Sequence, residues 1–267
     1  MRDVRHSLRS QRQNSTHWIG SLAAFVVGVA TLVLAPGELL SWPLVIAAVA
    51  ISGVAAEAGV WLRPRRAARE RLLYNAWIAP SLLIVVGVLV LRLQTLLSPT
   101  LQLPAIAIVA LVLAFVLLMQ EQQASRGQGT ILGGKFVLSL IVYAIAFMLF
   151  VVIYELKQSA LVAGLGGGFV GGLLALVLLR VHGPAPSAAR LDAAMIALSL
   201  AIASAGLSFW SAPVLVAGAV LLLVFYVLVG IGEALLDDVL DRRVMLEYGI
   251  VAAIGMALVL STAPWRA

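Results

Sequence analysis

The chain has no cysteine, which excludes disulfides, thiolate metal sites and a cysteine nucleophile. Charge is scarce: 11% of the 267 residues are Asp, Glu, Lys or Arg, against 63% apolar. Soluble domains carry about 25% charged and roughly 45–50% apolar residues, so no water-soluble fold is expected. Three histidines, scattered at His6, His17 and His182, make neither a haem pair nor a zinc site. HExxH, GxSG, serine-protease elbow and CDP-alcohol transferase patterns are all missing. No catalytic residue and no cofactor is predicted.

What the chain has is long charge-free runs: Trp18–Gly37, Leu39–Ala56, Leu72–Leu91, Ser159–Leu179 and Ala193–Gly232. Such runs approach or exceed the roughly 20 residues a helix needs to cross about 30 Å of hydrocarbon. They do not alternate apolar with polar residues, so a transmembrane barrel is not expected and helices must satisfy the backbone. The expected fold is all-α and polytopic. Nine helices are predicted at about 18–36, 39–62, 75–97, 102–120, 136–155, 159–181, 191–210, 213–236 and 245–262, with breaks at Pro36-Gly37, Ser98-Pro99, Gly183-Pro184 and Ala212-Pro213. They form four hairpins and one C-terminal helix within a single domain over 18–262, after a basic arm at 1–17 and before a short external tail at 263–267. The arginines ahead of the first apolar stretch resemble a signal peptide, but a cleavage site around Ala35 is poorly formed, and the stretch is read as a retained helix.

Net charge is +6. The aromatic-interleaved basic surface of a nucleic-acid reader is absent, and the excess instead orients the protein. With the N-terminus cytoplasmic, only Arg92, Lys157 and Arg266 of the 18 Lys and Arg residues fall outside, a strong positive-inside bias. Trp18, Trp61 and Trp77 then lie at inner helix ends and Trp42, Trp210 and Trp265 at outer ends, the level this ring prefers. The location implied is a bacterial inner membrane. Arg2, Arg5, Arg9 and Arg12 share one stripe suited to anionic lipids of the cytoplasmic leaflet, and they serve equally as an orientation signal. The hairpins recur about every 58 residues, and 18–34 matches 77–93 at Trp18/Trp77, Gly28/Gly87 and Leu32/Leu91 among other positions. Duplication and the ordinary length of a minimal hairpin both account for this.

Three features could carry chemistry. Asp237, Asp238 and Asp241 form a DDxxD pattern, in which hard oxygen ligands could hold Mg²⁺ against a phosphate. Those sites generally use a second acidic cluster, which no other cytoplasmic loop supplies; the alternative is a solvated loop neutralising arginines at 63–71. Glu57 and Glu233 sit about one turn inside their helices, where an ionised carboxylate is unfavourable without a partner. They are candidates for proton or cation binding, or for pairing with a snorkelling Arg63 or Arg242. Gly164, Gly168 and Gly172 align at four-residue spacing, a pattern that lets helices approach closely; a substrate passage is the sharper reading. A phosphate cradle is not expected, since no P-loop lysine follows.

The segments Trp77-Ile78-Ala79-Pro80-Ser81, Tyr143-Ala144-Ile145-Ala146-Phe147 with Ile153-Tyr154, and Phe225–Gly230 followed by Arg242–Tyr248 resemble a bacterial family of polytopic membrane proteins of unknown function. The resemblance spans most of 40–262 and implies a shared helical architecture, with no activity attached. The leading expectation is a non-catalytic membrane subunit or scaffold that packs with other subunits of a larger complex. A small-molecule or lipid transporter would need Glu57, Glu233 and the glycine-rich helix to line one cavity. A lipid-linked transferase would use Asp237, Asp238 and Asp241 with Mg²⁺.

Overall fold

A computed structural model describes residues 21–34, 42–61, 77–92, 99–126, 132–156, 159–181 and 186–262. The basic arm, the arginine-rich stretch at 63–71, His182 and the C-terminal tail lie outside the described residues. Those described form nine α-helices and no strand: α1 (Ser21–Leu34), α2 (Trp42–Trp61), α3 (Ile78–Arg92), α4 (Pro99–Arg126), α5 (Leu132–Glu155), α6 (Ala160–Val181), α7 (Pro186–Leu207), α8 (Val214–Leu236) and α9 (Arg242–Thr262). Four stretches, Phe136–Glu155, Ala160–Leu179, Ala188–Leu207 and Val214–Leu236, are long and apolar enough to cross a membrane.

Most boundaries fall within a few residues of the sequence expectation, and the departures at α4 and α7 have local causes. α4 starts at Pro99 and α7 at Pro186, because proline lacks the N–H that a first helical position leaves unsatisfied anyway. α4 also runs on past the apolar stretch through Gln120-Glu121-Gln122-Gln123 to Arg126. Glutamine and glutamate are good helix formers, so the helix outlasts its hydropathy.

The chain divides into two compact units, 1–138 and 139–267, with the division inside α5; sequence alone marked a single domain. In the first unit, Gly28 of α1 receives Ile84 of α3 and Leu113 of α4, while Gly87 of α3 receives Leu32 of α1 and Val109 of α4. The pairs 28/84 and 32/87 ascend together, so α1 and α3 run parallel. Gly28 and Gly87, equivalent positions of the possible duplication, thus exchange side chains with each other's helix. Ser52 of α2 donates to Ala24 O at 3.1 Å, and Ser81 of α3 donates to Val49 O at 3.5 Å.

In the second unit α6 and α7 are antiparallel and in very close contact. A Cβ at Gly164 would stand 3.0 Å from Ala201 O, one at Gly168 2.7 Å from Ala197 O, and one at Gly172 2.7 Å from Ala197 Cβ. Ser204 of α7 crosses the same seam to Ala163 O at 2.9 Å. α8 packs on α5 through Gly218 and Val151, and on α9 through Gly230 and Tyr248 and through Leu223 and Gly255. Tyr154 at the end of α5 donates to Trp210 O in the turn between α7 and α8. The other faces remain apolar: Leu161, Leu165 and Phe169 on α6 and Leu191, Met195, Leu198 and Ile202 on α7 are exposed, as expected of helices surrounded by acyl chains rather than water.

Candidate functional site

One group of polar residues in the second unit gathers at the C-terminal end of α8. Tyr226, Gly230, Glu233 and Asp237 follow one another at intervals of three or four residues, which puts them on one face of the helix. Opposite them stand Tyr143 of α5 and Tyr248 of α9. The Tyr143 ring lies 5.6 Å from that of Tyr226 and 5.7 Å from that of Phe225, and Tyr226 lies 6.0 Å from Tyr248. Phe150 extends the group to Phe225 at 6.0 Å, edge to face, an arrangement in which ring edge and ring face attract. The Tyr248 ring occupies the space where a Cβ at position 230 would lie. Glu233 lies within electrostatic reach of the Tyr143 and Tyr248 hydroxyls. One carboxylate with tyrosines from three helices can hold a proton or a small cation, or can simply fix the three helices in register.

The DDxxD residues are placed by the turn that follows. Asp237 caps α8, its N–H donating to Glu233 O at 3.0 Å. Asp238 adopts φ 53° and donates its N–H to Leu235 O at 3.3 Å, while Val239 N–H reaches Ala234 O at 3.1 Å. This is the paired 6→1 and 5→2 bonding that closes a helix through a left-handed residue. Asp241 precedes α9, its Oδ1 accepting the Arg242 N–H at 2.6 Å and its carbonyl the Met245 N–H at 3.1 Å. All three aspartates are exposed. Among the described residues no three His, Cys, Asp or Glu side chains are placed to share a metal ion. The pattern that Mg²⁺ chemistry would use is here distributed over a helix cap, a left-handed turn residue and a second helix start.

The other sequence candidates lie elsewhere. Glu57 belongs to α2 in the first unit, half-buried, with Oε2 shut off from solvent. Gly164, Gly168 and Gly172 are occupied by the α6–α7 contact. Arg243 pairs with Glu247 at 3.4 Å on an exposed face. Sequence reasoning did not select Tyr143, Tyr226 or Tyr248 as site residues, although all three lie in the segments that carry the family resemblance. Of those segments, the stretches that carry Tyr143, Tyr226 and Tyr248 meet around Gly230.

No curated protein and no solved structure matches the chain. A family of proteins of unknown function, DUF5656, matches residues 23–262, from α1 to the last turn of α9. The match takes in both units, the Glu233 cluster and the aspartate turn, and the chain belongs to that family.

Proposed function

We propose that this protein is a non-catalytic, multi-pass membrane subunit or scaffold of a larger bacterial inner-membrane assembly, with nine crossings, a cytoplasmic N-terminus and an external C-terminus. One observation carries the reading: three of the four buried polar side chains among the described residues join neighbouring helices. The buried polar side chains among the described residues are Thr31, Ser52, Ser81 and Ser204. Each donates to a main-chain carbonyl, within its own helix for Thr31 and across to a neighbour for the three serines. The glycine face of α6 is likewise filled by α7, leaving a large apolar exterior on α6 and α7 for lipid or for other subunits. Affinity purification in mild detergent followed by intact-complex mass spectrometry tests this. Stoichiometric partner subunits are expected; a protein that always comes out alone would sink the scaffold reading. Reporters fused at residue 128 and residue 267 should lie on opposite sides of the membrane, and a shared side would overturn nine crossings.

A second reading, small-molecule or lipid transport, is favoured by the approach of Tyr143 and Tyr248 to Glu233. If it holds, Glu233→Gln abolishes solute uptake by reconstituted vesicles without altering assembly.

A further inference from the structure

α5, α6, α7 and α8 each contribute buried side chains to the second unit, whereas none of the α9 side chains described is buried. The close contacts described for α9 are with α8: the Tyr248 ring fills the Gly230 notch, and Leu223 Cδ1 lies 2.8 Å from where a Cβ of Gly255 would stand. The first residue of each pair falls as the second rises, so the two helices are antiparallel. The Arg243–Glu247 ion pair lies within α9 and does not tie it to α8. Met245, Ile250, Ile254 and Leu258 are exposed, which leaves α9 an apolar outer surface. Parting such a helix from its neighbour within a bilayer replaces protein by acyl chains, so close packing is lost but no hydrophobic burial. Elements with few buried contacts open most readily, and lids are drawn from them.

The connection to α8 is built to bend. The Asp238 and Val239 N–H groups donate back to Leu235 O and Ala234 O of α8, while the Arg242 and Met245 N–H groups donate to Asp241. Leu240 is left between the two sets as the joint. Asp237, Asp238, Val239 and Asp241 around it are exposed, so no packing opposes rotation there. A few residues at the ends of elements suffice to absorb the backbone change of a hinge. What the hinge would uncover is the polar face of α8. Tyr248 stands at Gly230, about one turn from Glu233, and its ring packs on that of Tyr226 at 6.0 Å. With the ring in place the notch is filled; with the ring withdrawn, a gap of ring size opens beside Tyr226 and Glu233.

We infer that α9 is a lid, which turns about Leu240, draws Tyr248 out of the Gly230 notch and so admits a solute to Glu233. The lid rests on Glu233 being the binding group of the transport reading. Its motion is measured without solute, so a lid that does not move can be told from a carboxylate that does not bind.

Spin labels at Leu215→Cys and Leu258→Cys, both exposed and far from the turn, report the separation of α8 and α9 in the full-length protein in lipid nanodiscs. The chain has no other thiol, so pulsed dipolar spectroscopy reads that pair alone. Two distances are expected, and Tyr248→Ala should raise the ratio of the longer to the shorter about fivefold, the value of one aromatic pairing. Labels at Leu165→Cys and Ile202→Cys, exposed on α6 and α7, should give one distance with or without Tyr248→Ala. A single unchanged distance between α8 and α9, or an equal response between α6 and α7, overturns the lid. A second measurement reads the covering of Glu233. Leu223→Cys and Gly255→Cys joined by a short bifunctional thiosulfonate should protect Glu233 from dicyclohexylcarbodiimide, seen as loss of its adduct in peptide mass spectrometry, and reducing the bridge should restore the adduct. An adduct that forms equally with the bridge in place overturns control of Glu233 by α9.

Discussion

The α6–α7 and α8–α9 hairpins are neighbours in sequence and similar in length, yet they are joined in opposite ways. Along α6–α7 the contact is continuous: glycine after glycine lies against Ala193, Ala197, Ala201 and Ala205 or their carbonyls. Few side chains need to be ordered, so the seam gains van der Waals contact at little entropic cost, the mode by which helices associate where lipid removes the hydrophobic drive. Along α8–α9 the contact is discrete. One ring, Tyr248, enters one notch, Gly230, and a second contact joins Leu223 to Gly255. A continuous seam is sensitive at many points and adjustable at none. A discrete one should be repairable by changing its single knob, and it leaves the far side of its helix open.

Three substitutions press on that contrast. Gly168→Leu should have the largest effect, because the new side chain would begin 2.7 Å from a backbone carbonyl and from Ala201 Cβ, atoms that cannot rotate away. Overpacking of this kind destabilises by about 3 kcal/mol. Reversible unfolding in mixed detergent micelles should show it as lost cooperativity or failed assembly, with Asp238→Ala far milder; equal behaviour of the two would refute a rigid seam. Gly230→Ala comes next, at about 2 kcal/mol, since its methyl meets the Tyr248 ring. Here the discrete contact predicts rescue. In the Tyr248→Ala background Gly230→Ala should have almost no further effect, and simple additivity in that double-mutant cycle would show that Tyr248 is not the obstacle. Ser204→Ala removes a hydroxyl that crosses the α6–α7 seam to Ala163 O. Interhelical hydrogen bonds within membrane proteins average about 0.6 kcal/mol, so the close-packed seam should survive this change with a small shift in its unfolding midpoint. A loss of several times that size would mean that the hydrogen bond, and not the glycine packing, holds the pair.

Among the described residues, helix number and position were legible in the sequence because an apolar run and the proline that ends it are local facts. The spacing of Gly164, Gly168 and Gly172 was legible for the same reason, although nothing in it named α7 as the neighbour. The tyrosine cluster was not legible. Tyr143, Tyr226 and Tyr248 come from three helices, and one sequence does not say which helices adjoin. The extension of α4 to Arg126 was missed because hydropathy marks where an apolar run stops, whereas helix formation depends on propensity. For the aspartates the sequence offered both ligand chemistry and a solvated loop, and the end of one helix and the start of another supply a structural place for each.

Asp238 separates those two explanations, with the smallest of these effects and a diagnostic sign. Its φ of 53° places it in the left-handed region, where a Cβ is strained and glycine is not. If conformation alone matters, Asp238→Gly should raise stability by about 0.5 kcal/mol, the net of relieved strain and greater unfolded-state freedom. Asp238→Ala should lower it, since alanine retains the strain and lacks the short polar side chain that makes this region tolerable for aspartate. The order Gly above Asp above Ala, measured by thermal unfolding in lipid-free detergent, would identify the residue as a turn former. If both variants fall below the parent, the carboxylate itself contributes, and the cause must be sought in the charges of the α8–α9 turn.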